Sequence, residues 1–232
     1  NDRSTDQTLI LLESVKDDRF SFLTIKATPS GYDHKKYALQ EGIKLAKYPY
    51  LLLTDADCLP NSDSWIYNMQ KKLASNDIVL GLSFYEKKNS FLNQFIQYET
   101  FYTALQYIGF CNYGSPFMGV GRNLLYKNKL FTDNPSFEKF KDHIGGDDDL
   151  LLQNAMQINR TGTALSFNSQ TTSLPKESLY EWFRQKSRHL SAGVKYTKSI
   201  KLYLAILQAS HFLFYVLLTS SFFFINIFPF TL

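Results

Sequence analysis

The sequence predicts an α/β domain with a mostly parallel sheet, followed by a C-terminal transmembrane helix. Three observations predict it. Strand-length apolar runs alternate with stretches of helical periodicity from the start of the chain to Phe84. Tyr50-Leu-Leu-Leu-Thr54 is a short continuous apolar run, as in a strand buried on both faces, and it leads directly into Asp55 and Asp57. The last 31 residues, 202–232, contain no Asp, Glu, Lys or Arg.

The elements follow in order. Ser4 or Thr5 caps a helix to Lys16, with Leu9, Leu12 and Val15 on one face. Phe20 to Ile25 reads as a strand. Asp33 caps a helix through Ala38, Leu39, Ile43 and Ala46. After the strand at Tyr50, Asp55 to Asn61 forms a loop, and Ser62 or Asp63 caps a helix to Ser75. Ile78 to Phe84 is the next strand. Ser90 to Ile108 is a long aromatic helix whose Phe91, Phe95, Tyr98, Phe101, Tyr102 and Leu105 are read as core, with an acceptor path or a membrane interface as the other readings. Pro116 to Tyr126 is extended, Asp147 to Asn159 is a helix with an acidic first turn, and Lys176 to Leu190 is amphipathic. The polar opening Asn1-Asp-Arg-Ser-Thr-Asp-Gln-Thr is of the kind that follows a strand, so a strand is expected upstream. The apolar ending Pro229-Phe-Thr-Leu232 likewise predicts that the natural chain continues. The expected division is 1–199 for the α/β domain and 202–232 for the membrane segment.

Composition narrows the function. The 232 residues are 44% apolar and 20% charged, which excludes wholesale disorder. Residues 176–201 hold seven Lys/Arg and two acids, net +5, so with a chain total of +4 residues 1–175 stand at −1. The positive charge therefore sits beside the apolar tail, where the positive-inside rule reads it as a cytoplasmic flank, and no nucleic-acid partner is expected. The two cysteines, Cys58 and Cys111, build no disulfide framework or thiolate zinc site. This usage suits a reducing compartment.

Three clusters carry the chemistry. Asp55-Ala-Asp57 follows a buried strand, where open α/β sheets bind ligands, and two carboxylates at this spacing suit Mg²⁺ or Mn²⁺ shared with phosphate oxygens. The pair also reads as a solvated turn. Gly145-Gly-Asp147-Asp148-Asp149 is either an acidic helix start or a carboxylate whose like-charged neighbours raise its pKa toward that of a general base. Gln185 and Arg188, i and i+3 on one helix face, can bond a hydroxyl and fork onto a diphosphate, or form a solvated basic face. Cys58 is read as a packing residue rather than a nucleophile.

With these clusters in place, the chain resembles the membrane-associated family-2 glycosyltransferases, inverting enzymes of the GT-A fold. Asn1-Asp2-Arg-Ser-Thr-Asp6 is similar to the family's DDGSTD turn, and His34-Lys35-Lys-Tyr-Ala38-Leu39-Gln to its G-K-x-x-A-L-N helix start. Asp55-Ala-Asp57 matches the D-x-D. Gly119 to Tyr126 resembles the segment beside the sugar pocket, Gly146-Asp147-Asp148 the base motif, and Gln185 to His189 the Q-x-x-R-W motif with His for Trp. The resemblance implies that Asp2 contacts the nucleotide base and Lys35 the nucleotide or its diphosphate. Asp55 would hold the nucleotide-sugar, Asp57 would ligate the metal with Asp55, and Asp148 or Asp147 would be the base. Gln185 and Arg188 would bind diphosphate or acceptor. His189 departs from the motif and argues against processive polymerisation.

The function so implied is metal-dependent inverting transfer, of hexosyltransferase type, from a nucleotide-sugar to a glycan or lipid-linked acceptor. A UDP-sugar is the leading expectation for the donor. The enzyme would sit in the cell membrane with its catalytic domain cytoplasmic. Two rivals stand beside it. One is a membrane-anchored, non-catalytic nucleotide-sugar-binding scaffold. The other is a haloacid-dehalogenase-type phosphatase, whose motifs are broken here at Leu59 and Leu151.

Overall fold

The computed structural model describes residues 1–132, 141–142 and 153–227, and it divides the chain into two units, 1–192 and 193–232. In the first unit the helices are α1 (Thr8–Ser14), α2 (His34–Lys44), α3 (Trp65–Gln70), α4 (Phe91–Asn112), α5 (Lys129–Thr132), α6 (Gln153–Ile158) and α7 (Leu179–Gly193). The strands are β1 (Tyr50–Leu53), β2 (Cys58–Pro60), β3 (Ile78–Gly81), β4 (Ser83–Tyr85), β5 (Leu124–Lys127), β6 (Thr161–Ala164) and β7 (Thr171–Ser173). The second unit holds α8 (Lys198–Ile227).

The α/β expectation holds. One sheet has the order β1-β5-β3-β6, with β5 antiparallel to both neighbours and β3 parallel to β6. β1, β3 and β6 thus run in one direction and β5 against them. All four residues of β3 are buried, which is why Ile78-Val-Leu-Gly81 is apolar at every position rather than alternating. Trp65 and Met69 of α3 cover one face, packing with Val79, Leu125 and Ala164. Met69, Ile78, Val79 and Leu80 have no exposed surface, and each such side chain contributes roughly 1.5–3 kcal/mol. A smaller sheet, β2-β7-β4, lies beyond the end of β1.

The structure corrects several boundaries. The strand expected over Ile78–Phe84 breaks at Leu82 into two strands of different sheets. Asn123 causes the break: its N-δ2 donates to the Leu82 carbonyl (2.8 Å) and to that of Ser169 (2.7 Å), and its Oδ1 accepts from Trp65 Nε1 (3.1 Å). This buried amide fits only because Gly81 has no side chain; a Cβ there would lie 2.3 Å from Asn123 Cγ. Phe20–Ile25 forms a single bridge, Ile25 with Asp2, because its strand-like backbone partners among the described residues are confined to the first two residues, while Phe20 turns back to the Asp17 carbonyl at 2.9 Å. α1 starts at Thr8, where Asp6 accepts from the Thr8 amide at 2.9 Å. α3 is shortened by a 3₁₀ turn over Lys71–Ala74. The helix expected from Asp147 is described only from Gln153.

The aromatic row of α4 is the largest correction. Phe91, Phe95, Tyr98, Phe101 and Leu105 are exposed, and Tyr102 is half-buried. The buried row is Asn93, Ile96, Thr100, Ala104, Tyr107 and Cys111. α4 is apolar on both sides, so periodicity alone does not choose the inner face.

Arg3 has φ of 55°, in the left-handed region, at the place of glycine in the DDGSTD turn. A side chain there costs roughly 1–2 kcal/mol, most for a β-branched one. Arg3→Gly is expected to melt at or above the wild-type temperature and Arg3→Val below it, read by thermal unfolding in detergent. A valine variant more stable than the glycine variant would contradict the assignment of strain.

Candidate functional site

The site is built at the carboxyl end of β1. The chain leaves Leu53 into Thr54–Asp57 and turns back into β2, with the Cys58 amide donating to the Asp55 carbonyl at 3.1 Å. Asp55 is half-buried and Asp57 exposed. Lys35, in the first turn of α2, reaches across so that its Nζ lies 3.2 Å from Asp55 Oδ1. Asp33 fixes this turn by accepting from the Lys36 amide at 3.1 Å. Asp2 joins the same rim indirectly. Its Oδ1 accepts from Arg3 Nε at 2.9 Å, and Arg3 Nη2 lies 2.9 Å from Nδ1 of His34, the residue before Lys35.

α7 forms another wall. Gln185 Nε2 donates to the Tyr85 hydroxyl at 3.1 Å. The Arg122 guanidinium lies over the same tyrosine ring, 4.6 Å from its centroid. Tyr85 therefore joins β4, the segment before β5, and α7. Its own position is fixed by α4, where Gln97 Nε2 donates to the Tyr85 carbonyl at 2.6 Å. Lys186 pairs with Glu99 of α4.

The small sheet joins these walls, since Cys58, the residue after Asp57, and Tyr85 are both cross-strand partners of Ser173. The Cys58 thiol is pushed up first by burial; Asp57 and Asp55 raise it further and Arg122 lowers it. This agrees with a packing residue, not a nucleophile. His189 has exposed surface, yet burial pulls its pKa down to about 4, with Lys186, Arg188, Arg122 and Lys35 adding to the effect. With four cations near it, the imidazole is neutral at neutral pH and offers one donor and one acceptor. Because the folded pKa lies below the ordinary 6.5, this group's contribution to stability is present above pH 6.5 and is lost as pH falls toward 4. His189→Gln is expected to flatten the decline of the melting temperature over that window. An unchanged slope would contradict the depressed pKa.

Of the residues expected from sequence, Lys35 pairs with Asp55, Asp57 lies in the same loop, Gln185 is bonded to Tyr85 of the adjoining small sheet and Asp2 is tied to the edge through Arg3 and His34, while Arg188 is an exposed residue one turn along α7 from Gln185. Asp147 and Asp148 lie outside the described residues. Arg122 and Tyr85 were not singled out by sequence. The signal for Arg122 was its isolation, as the sole charged residue between Glu99 and Lys127. Among the described residues no group of three or more His, Cys, Asp or Glu stands together as a metal cluster. Asp55 and Asp57 alone are a donor set suited to a hard cation that completes its shell with substrate oxygens and water.

The family model described as Glycosyl transferase family 2 matches residues 1–133, more than half of the 232-residue chain. The match takes in Asp2, Lys35, Asp55, Asp57, Tyr85 and Arg122. No curated protein matches the chain.

Proposed function

Because the chain belongs to glycosyl transferase family 2, we propose that it is a metal-dependent, inverting transferase of hexosyl type acting at a membrane. The donor is a nucleotide-sugar, with UDP as the first nucleotide to test, and the acceptor is a glycan or a lipid-linked sugar. The observation that supports this best is the Lys35–Asp55 ion pair beside Asp57 at the end of β1, with the Gln185–Tyr85 hydrogen bond on the small sheet where Tyr85 and Cys58 both pair with Ser173.

The residues divide the work by type. Asp57, with Asp55, would hold Mg²⁺ or Mn²⁺, which supplies compensation for the charge of the leaving diphosphate. Lys35 and Arg188 add cationic groups beside the same leaving group, and Gln185 bonds an oxygen of the diphosphate or acceptor. Asp2 contacts the nucleotide base. Asp148 takes the proton from the acceptor hydroxyl as that oxygen attacks the anomeric carbon from the face opposite the diphosphate, so the anomeric centre inverts. His189, a neutral imidazole where the resembling motif has tryptophan, suits single transfer rather than processive extension.

The membrane setting is supported by α8. Residues Lys198–Phe222 form a helix long and apolar enough to cross a bilayer, with mean hydropathy 1.7 in its best stretch. The basic stretch beside it, net +5 over 176–201, supports a cytoplasmic catalytic domain by the positive-inside rule. The test is to incubate the natural full-length protein in detergent with a panel of nucleotide-sugars and membrane lipid extract. Release of nucleoside diphosphate, with NMR of the product showing the inverted anomer, is the expected result. Donor binding without release under every condition would favour the scaffold reading.

A further inference from the structure

Arg122 is fixed more firmly than a surface arginine. Thr171 Oγ1 donates to its carbonyl at 3.2 Å, and the next residue, Asn123, is bonded to Trp65, Leu82 and Ser169. Its guanidinium lies on Tyr85, which is only 7% exposed. An enclosed arginine kept for packing alone pairs its N–H groups with carboxylates or carbonyls. Arg122 does not. Its Nη1 is buried without an acceptor, and among the described residues the guanidinium has no carboxylate partner. The side chain as a whole is only half-buried, so its outer edge is open to a ligand. That edge stands beside the acidic loop, since Tyr85 beneath it and Cys58, the residue after Asp57, are both cross-strand partners of Ser173 in the small sheet.

We infer that Arg122 binds the diphosphate of the nucleotide-sugar, and that Tyr85 is the positioning residue that holds the guanidinium flat and couples it to Gln185. The inference rests on the donor-site reading proposed above. Two carboxylates by themselves repel a diphosphate. A preorganised planar cation beside them offers parallel N–H donors matched to phosphate oxygens, at no cost of reordering when the donor binds. Tyr85 supplies the flat surface through its ring and the link to α7 through its hydroxyl.

The experiment is calorimetry on the full chain in detergent with Mn²⁺. UDP, GDP and dTDP are titrated first into the wild type; the one that binds, its monophosphate and its nucleoside are then titrated into the variants. Arg122→Gln is expected to weaken the diphosphate by roughly 10- to 100-fold, the loss of one charged hydrogen bond, and to leave the nucleoside unchanged. Tyr85→Leu should reproduce part of that selective loss, and Tyr85→Phe, which keeps the ring, should retain most of the affinity. Equal loss for diphosphate and nucleoside, or unchanged affinity with only a lowered melting temperature, would make Arg122 a structural residue and overturn the inference. Wild type that binds none of the three diphosphates would overturn the donor site itself, and with it this inference, a result distinct from failure of the variants alone.

Discussion

Asp148→Asn is expected to bind the nucleotide-sugar as the wild type does and to transfer sugar about 10²- to 10⁴-fold more slowly, the usual contribution of a positioned base. The acceptor hydroxyl must lose its proton as it attacks, and an amide does not take it. Donor binding should survive because the groups assigned to it come from elsewhere: Lys35 at the start of α2, Asp55 and Asp57 after β1, Gln185 and Arg188 on α7. Single-turnover rates and donor affinity measured on the same preparation separate the two effects. If Asp148→Asn remains active while Asp147→Asn is inactive, the base is Asp147.

Asn123→Ala is expected to cost about 3–5 kcal/mol of stability, among the largest effects of any single substitution outside the chemistry. The side chain is fully buried and makes three hydrogen bonds, to Trp65, Leu82 and Ser169. Removing it leaves the Trp65 indole N–H and the Ser169 carbonyl without this partner, leaves the Leu82 carbonyl only its bond from the Thr171 amide, and opens the joint between the two sheets. For a domain of this size the melting temperature should fall on the order of 10 °C. Gly81→Ala should do similar damage by the opposite route, because its Cβ would fall 2.3–2.6 Å from the Asn123 side chain. A fall of only a degree or two in both variants would mean that the two sheets are held together by something other than this amide.

The sequence made legible those parts of the molecule whose signal is local. β1 and its acidic loop stand out because four apolar residues run straight into a charged loop, although the strand is not buried on both faces as the run suggested: only Leu51 is buried, Leu52 and Leu53 are half-buried and Tyr50 is exposed. The start of α2 is visible because Asp33 caps it through its own side chain. What was hidden depends on contacts distant in the chain. β2 and β7 are three residues long, too short to show a period, and β7 is Thr171-Thr-Ser173, with no apolar residue to mark it. The break at Leu82 depends on Asn123, 41 residues later. The face of α4 that is buried is decided by Tyr107 reaching the Gly81 carbonyl (2.9 Å) and Asn93 and Gln97 reaching Glu86 (2.9 and 3.1 Å), not by its more conspicuous phenylalanines. The site shows the same division. Asp55, Asp57, Gln185 and Arg188 could be named from spacing and resemblance. Tyr85 could not, because its role arises only where β4, α4 and α7 meet.

The most direct test of the central claim, a donor site around the acidic loop, is calorimetry of UDP and a panel of nucleotide-sugars. The natural full-length protein in detergent is titrated with and without Mn²⁺, beside Asp57→Ala. The account predicts binding that requires the metal and is lost in the variant. Equal binding by Asp57→Ala, or no nucleotide binding under any metal, would contradict it.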